Sequence, residues 1–240
     1  MDKTAMDILL FTLPALLGTF SGAALCVVFT RRVKLLWVLF AALYLAADTL
    51  ILIFSPRLEH GQWNWSSKIC SLLFALVVFF LFRLSRVEVG LVLPKDQLSW
   101  RWTLICIVGA VAFDGVLNYI FRTHQAPGLE TIVYQATMPG LSEELTYRGI
   151  SFALIQRAFS GAHGWWAKAA PALIPSLVFG LIHTYSPKNG FSYHEWSGFL
   201  FSLTLGLWFA WTRLRSGSLL GPIVAHNAAN TAGCLIRGLR

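Results

Sequence analysis

Residues Leu35 to Phe54 read LLWVLFAALYLAADTLILIF, twenty positions with one charged side chain, Asp48. A helix rising 1.5 Å per residue needs about 20 apolar residues to cross a hydrocarbon core. Similar runs recur outward from this one: Ile8–Phe29 before it, and Ile69–Phe82, Trp102–Phe121, Leu129–Arg157, Ala170–Tyr185, Ser197–Trp211 and Leu219–Ile236 after it. Across all 240 residues, 56% are hydrophobic and 12% charged, and mean hydropathy is +0.63. A soluble domain usually carries about 25% charged residues. The composition excludes a water-soluble core, disorder and collagen. It predicts an all-α, polytopic transmembrane helix bundle of about eight spans. Connections are short, so residues 1–240 are expected to form a single integral-membrane domain. The first run lacks a strongly basic leader and a small-residue cleavage site, so it is expected to be a retained helix.

The net charge of +8 would suggest nucleic acid on a soluble protein. Here the basic residues flank apolar runs, which predicts contact with anionic lipid headgroups in the bilayer and no nucleic-acid partner. With eight spans, eleven Lys and Arg fall on one side, Arg31, Arg32, Lys34 and Arg83 among them. Seven fall on the other, Lys3, Arg57 and Lys68 among them, and Arg148 lies within a span. The richer side is expected to be cytoplasmic, with both termini outside. An integral, multi-pass protein of a bacterial or archaeal-type plasma membrane is the expectation. Cys26, Cys70, Cys106 and Cys234 are scattered singly, which implies neither a disulfide framework nor a thiolate metal site.

Ionisable groups inside a span cost roughly 2.5–3.5 kcal/mol each at mid-helix, so each needs a partner or a task. Three clusters qualify. In Pro139-Gly-Leu-Ser-Glu143-Glu144-Leu-Thr-Tyr147-Arg148, helical spacing pairs Glu144 with Arg148 on one face. Glu143 is rotated about 100° away, beside Tyr147, and is expected to be left unpaired. The second cluster is Phe179-Gly-Leu-Ile-His183 and the third His226-Asn-Ala-Ala-Asn230. In each, residues four apart share a helix face. Small neighbours such as Ala225, Ala229 and Gly233 allow close helix approach. One carboxylate, two imidazoles and an amide from three helices can form a hydrolytic constellation: Glu and His deprotonate water, while His and Asn donate to an oxyanion.

The ordered triple E-E-x-x-x-R, F-x-x-x-H and H-x-x-x-N, at Glu143-Glu144-Arg148, Phe179-His183 and His226-Asn230, resembles the CAAX prenyl protease and bacteriocin-processing (CPBP, or Abi) family of intramembrane proteases. The resemblance covers about residues 130–236. It implies that Glu143 and His183 activate water and that His226 and Asn230 line the oxyanion site. Glu144, Arg148, Tyr147 and Phe179 would then be supporting groups.

Other chemistries fit less well. Pro171-Ala-Leu173 resembles an element of presenilin-type aspartyl proteases, but the required G-x-G-D is absent around Asp48 and Asp114. Gly140-Leu-Ser142-Glu143 breaks the rhomboid G-x-S-G, and H-E-x-x-H is missing. Zinc held by Glu143, His183 and His226 is the cofactor alternative. A metal-free enzyme is expected instead, because Glu144 is committed to Arg148 and leaves no spare base. A transporter should show broken helices in pairs or an inverted repeat, and an idle scaffold or immunity protein should lose a motif residue. The sequence shows neither. The expected partner is a membrane-anchored peptide or protein substrate. With the termini outside, His183 lies toward the outer surface and the loop after it covers the mouth of the site. That favours processing or sorting of C-terminal signals of exported proteins over CAAX-type prenyl-protein cleavage.

Overall fold

A computed structural model describes residues 3–56, 58, 61–121, 124–183 and 193–239. All regular structure among them is helical. In chain order the helices are α1 (Lys3–Thr30), α2 (Leu35–Phe54), α3 (Trp65–Leu81), α4 (Arg86–Val89), α5 (Gln97–Ile120), α6 (Leu129–Glu144), α7 (Phe152–Ala158), α8 (Trp165–Ile182), α9 (Tyr193–Ser216) and α10 (Leu220–Arg237). A π-helical stretch, Leu145–Ser151, separates α6 from α7. Four of the described helices are long and apolar enough to cross a membrane: Met6–Thr30 within α1, and α2, α5 and α8. The apolar helix α3 is shorter.

Each expected run is helical among the described residues, with shifted ends. The third begins at Trp65 rather than Ile69, which draws Lys68 into the helix. The fifth is not one α-helix, because its middle adopts the wider π turn. The sixth ends at Ile182, with His183 as its C-cap. Tyr185 and the loop expected to cover the site fall in 184–192, outside the described residues. The connection Arg83–Arg101 contains α4, closed by a reciprocal capping box between Ser85 and Glu88. Asp96 caps α5 by accepting from the Ser99 backbone N–H at 2.7 Å. The hydrogen bonds from Ser99 hold the Asp96 carboxyl below its usual range.

Close contacts sort the chain into two compact units, one of residues 1–54 and 146–210, the other of residues 55–145 and 211–240. In the first unit α1 lies against α8 and α2. Gly18 and Gly22, one turn apart on α1, make the α8 approach close. A Cβ at Gly18 would stand 2.9 Å from Leu181 and Val178, and one at Gly22 would stand 3.1 Å from Ile174. Without a hydrophobic drive between helices in lipid, this small-residue packing is what holds spans together. In the second unit α10 is the hub, packed on α5 and α6. Gly140 on α6 admits the α10 backbone so closely that a Cβ would come within 2.5 Å of the Ile223 carbonyl oxygen. Trp102 on α5 meets Trp211 on α9 edge-on at 4.6 Å.

Gly22→Leu should therefore destabilise the detergent-solubilised protein by about 1–3 kcal/mol through overpacking. Gly128→Ala, at a position with nothing within 4 Å, should stay within about 0.5 kcal/mol of wild type. Denaturant unfolding of the two variants beside the parent checks both.

Candidate active site

The second unit holds Glu143, Glu144, His226 and Asn230 of the expected site. Glu144 is wholly buried, and its Oε1 lies 2.8 Å from His226 Nδ1. A carboxylate accepts there, so the Nδ1–H is committed and Nε2 becomes the working nitrogen of the ring. That Nε2 lies 3.8 Å from Glu143 Oε2. The other oxygen, Glu143 Oε1, accepts from the Lys68 ammonium at 2.8 Å. The Glu143 and Lys68 side chains are only 17% and 7% exposed. Two carboxylates, an ammonium and an imidazole thus share one poorly hydrated cluster on α6, α3 and α10. At this distance and burial the charges must compensate one another, since an isolated buried charge costs several kcal/mol.

Two expectations are corrected here. Glu143 is not left unpaired, because Lys68 reaches it. Lys68 is not a loop cation but a buried residue in the first turn of α3. Glu144, which the spacing pairs with Arg148, gives one oxygen to His226 as well. In the first unit the Arg148 guanidinium, itself fully buried, stands 4.5 Å from the Phe179 ring centre, with Tyr147 at 5.7 Å and Phe209 at 5.8 Å. Such a cage stabilises a desolvated cation by about 2 kcal/mol or more. Gly206 leaves room for it, since a Cβ there would lie 2.8 Å from Arg148 Nη2.

Lys68 is held in place by its own helix start. Glu130 on α6 accepts from the backbone N–H of Gln62 (3.1 Å) and Trp63 (3.4 Å) and from the Trp65 indole (3.2 Å). Tyr134 stacks on Trp63 at 4.7 Å and donates to Asn64. On the same helix, Ser142 and Ser71 of α3 share a hydrogen bond at 3.2 Å.

Asn227, next to His226, locks α10 onto α6. Its Oδ1 accepts from the Gly140 backbone N–H at 2.7 Å and its amide donates to the Thr137 carbonyl at 3.1 Å. Pro139 disrupts the local helical ladder by lacking an N–H, and Asn227 fastens the weakened turn. Asn230, expected to line an oxyanion site, donates to Gln135 Oε1 at 2.9 Å.

His183, Phe179, Tyr147 and Arg148 belong to the first unit. His183 Nδ1 donates to the Phe179 carbonyl at 2.8 Å, and the two rings stand 4.2 Å apart. That bond fixes the tautomer and leaves Nε2 as the basic nitrogen. Tyr147 meets Phe179 edge-on at 5.0 Å. The F-x-x-x-H spacing thus has a physical content: the Phe supplies both the backbone acceptor that sets the imidazole and a wall of the arginine cage.

Sequence reasoning missed Lys68, Asn227, Gln135, Glu130 and Gly206. For Lys68 the signal was present, a lysine one residue before an apolar run, but it was assigned to the loop.

Among the described residues no group of three or more His, Cys, Asp or Glu side chains is arranged to hold a metal ion. Glu143, one ligand of the zinc alternative, fits a dication poorly by its donor chemistry. Glu143 is occupied by an ammonium at 2.8 Å, which repels a dication.

A helical membrane protein with a buried carboxylate–imidazole cluster has the make-up of an intramembrane hydrolase. Residues 124–232 match the family model described as type II CAAX prenyl endopeptidase Rce1-like. That segment is similar to membrane endopeptidases of the CAAX type. Comparison with curated proteins and with solved structures gives no match.

Lys68→Met should cost about 3–5 kcal/mol, the usual loss when one partner of a buried pair is removed. The double variant Lys68→Met/Glu143→Gln should recover more than half of it. A double-mutant cycle by denaturant unfolding measures the coupling, and additive losses would mean that the pair does not act as one.

Proposed function

We propose that the chain hydrolyses a peptide bond of a membrane-anchored substrate with water activated by Glu143 and His183, without a metal. The observation that carries this reading is the buried cluster in which Glu143 Oε1 is bound to Lys68 and Oε2 faces His226 Nε2. A general base must be positioned and its charge compensated but not quenched, and one ammonium on one oxygen does that. Glu143 takes the proton from water, and the hydroxide attacks the scissile carbonyl. His226, with Nδ1–H given to Glu144, donates from Nε2 when both of its nitrogens are protonated. It thereby stabilises the tetrahedral oxyanion, a role in which Asn230 assists. Collapse of the intermediate breaks the C–N bond, and the proton held by Glu143 passes to the leaving amine. His183, a basic nitrogen at Nε2, shares the task of water activation on the family pattern.

For the substrate, the distribution of basic residues supports an outward-facing site. With buried Lys68 and buried Arg213 both taken out of the flanking cations, the tally changes from eleven against seven to ten against six. This favours the C-terminal sorting signal of an exported protein or a secreted peptide precursor. The second reading, a prenylated C-terminal tail, is favoured by the description of the matching family.

Glu143→Gln should lower kcat by about a hundredfold to ten-thousandfold, and His183→Ala and His226→Ala should each cause a comparable loss, while all three variants remain monodisperse. Cleavage of a transmembrane sorting-signal peptide and of a farnesylated tail peptide, assayed side by side in proteoliposomes, checks the base and the substrate together. Undiminished turnover by Glu143→Gln would remove it from the mechanism. Preference for the farnesylated peptide would select the second reading.

The metal-free mechanism predicts that a strong chelator leaves the rate unchanged and that the active protein holds no stoichiometric zinc by elemental analysis. One zinc per chain, lost and regained together with activity, is the contrary result.

A further inference from the structure

We infer that the turn between α1 and α2, seated on the turn that follows α7, forms a binding pocket for the headgroup of an anionic phospholipid. Arg31, Arg32 and Lys34 fall within four residues, and with Ser160 and Gly161 they line a cavity of about 380 Å³ whose lining includes no acidic residue. All of these residues belong to the first unit.

The cavity is built, not merely a basic stretch. The Lys34 backbone N–H donates to the Ala158 carbonyl at 2.8 Å. The Lys34 ammonium donates to Ser160 Oγ at 2.9 Å, and the Ser160 hydroxyl in turn donates to the Arg157 carbonyl at 2.8 Å. The opposite turn reverses at Arg31, which takes a left-handed φ of 54°, and Gly161 takes a φ of 91°. A left-handed arginine is an uncommon conformation for a residue with a Cβ. Here it places three cations around one hollow. Concentrating like charges is unfavourable unless an anion relieves it, which is the electrostatic reason to expect one.

The surroundings choose a lipid over a free phosphate. Immediately beside the cations, Leu35 is 71% exposed and Leu36 59% exposed, while Val28 on α1 is 69% exposed. These are surfaces suited to acyl chains. Trp166 stacks on Phe29 at 4.4 Å and Arg157 lies 5.0 Å over Trp37. Indoles with basic neighbours mark the headgroup level of a bilayer. A cationic hollow at that level, continuous with an apolar wall, matches a molecule carrying both a phosphodiester and a tail. This site shares no residue with the peptidase cluster, and the inference does not rest on the proposed mechanism.

Native mass spectrometry of the full-length protein, titrated in detergent with phosphatidylglycerol, phosphatidylcholine or inorganic phosphate, tests it. Wild type should retain phosphatidylglycerol in preference to phosphatidylcholine, and excess phosphate should not displace it. Arg31→Gln/Arg32→Gln should weaken retention about thirtyfold and Arg32→Gln alone about fivefold, the equivalent of about 1 kcal/mol per basic side chain beside an anionic headgroup. Arg31→Lys/Arg32→Lys should stay within about threefold of wild type on the same basis. Lys95→Gln/Arg101→Gln, which removes two charges elsewhere, should leave binding unchanged. Equal retention by the Gln variants, equal loss in the distant control, or equal binding of phosphatidylcholine would overturn the site. Displacement by inorganic phosphate at concentrations matching the lipid would overturn the lipid as its occupant.

Discussion

A carboxylate with no solvent exposure needs a partner, and in this protein Glu144 finds it in His226, across the α6–α10 packing, at 2.8 Å. Leaving it without one would cost more than most single packing contacts can supply. The bond therefore does three things at once. It fixes α10 against α6, chooses the nitrogen on which His226 keeps its proton, and orients the next carboxylate along the helix. Glu143, one residue earlier, is turned toward α3, where Lys68 waits at 2.8 Å.

Around that bond the second unit is organised as a set of polar locks between apolar helices. Asn227 fastens α10 to the weakened turn at Pro139-Gly140. Gly140 permits the close approach, and Glu130 pins the start of α3 so that Lys68 keeps its register. Asp114 and Asn118 on α5, with Arg237 on α10, make another such lock: Asn118 donates to Asp114 at 2.9 Å and accepts from the Arg237 guanidinium. Spans with apolar sides gain little from the hydrophobic effect once in lipid, so these locks and the glycine contacts decide which helices meet.

Much of this was legible in the sequence, and for physical reasons. Apolar run length revealed helices because the bilayer fixes their length. Glu143, Glu144, His183 and His226 stood out because charge in hydrocarbon is costly. Their contacts with other helices were not legible. Spacing offers Arg148 to Glu144 because i,i+4 neighbours are the pairs a single helix reveals, and it is silent on His226, 82 residues away. Lys68 escaped because a lysine one residue outside an apolar run is more often a flanking anchor than a buried ion. The π turn at Leu145–Ser151 has no signature in residue type, although such turns are frequent at functional sites.

The protonation of the His226 ring tests the account most directly. Solid-state NMR of the protein in lipid, with ¹⁵N-labelled histidine and His226→Ala for assignment, reads which ring nitrogen carries hydrogen and whether a carboxylate accepts from it. The account predicts a protonated Nδ1 engaged with Glu144, with its resonance displaced in Glu144→Gln. A His226 ring whose Nδ1 bears no proton, or one indifferent to Glu144→Gln, would contradict it.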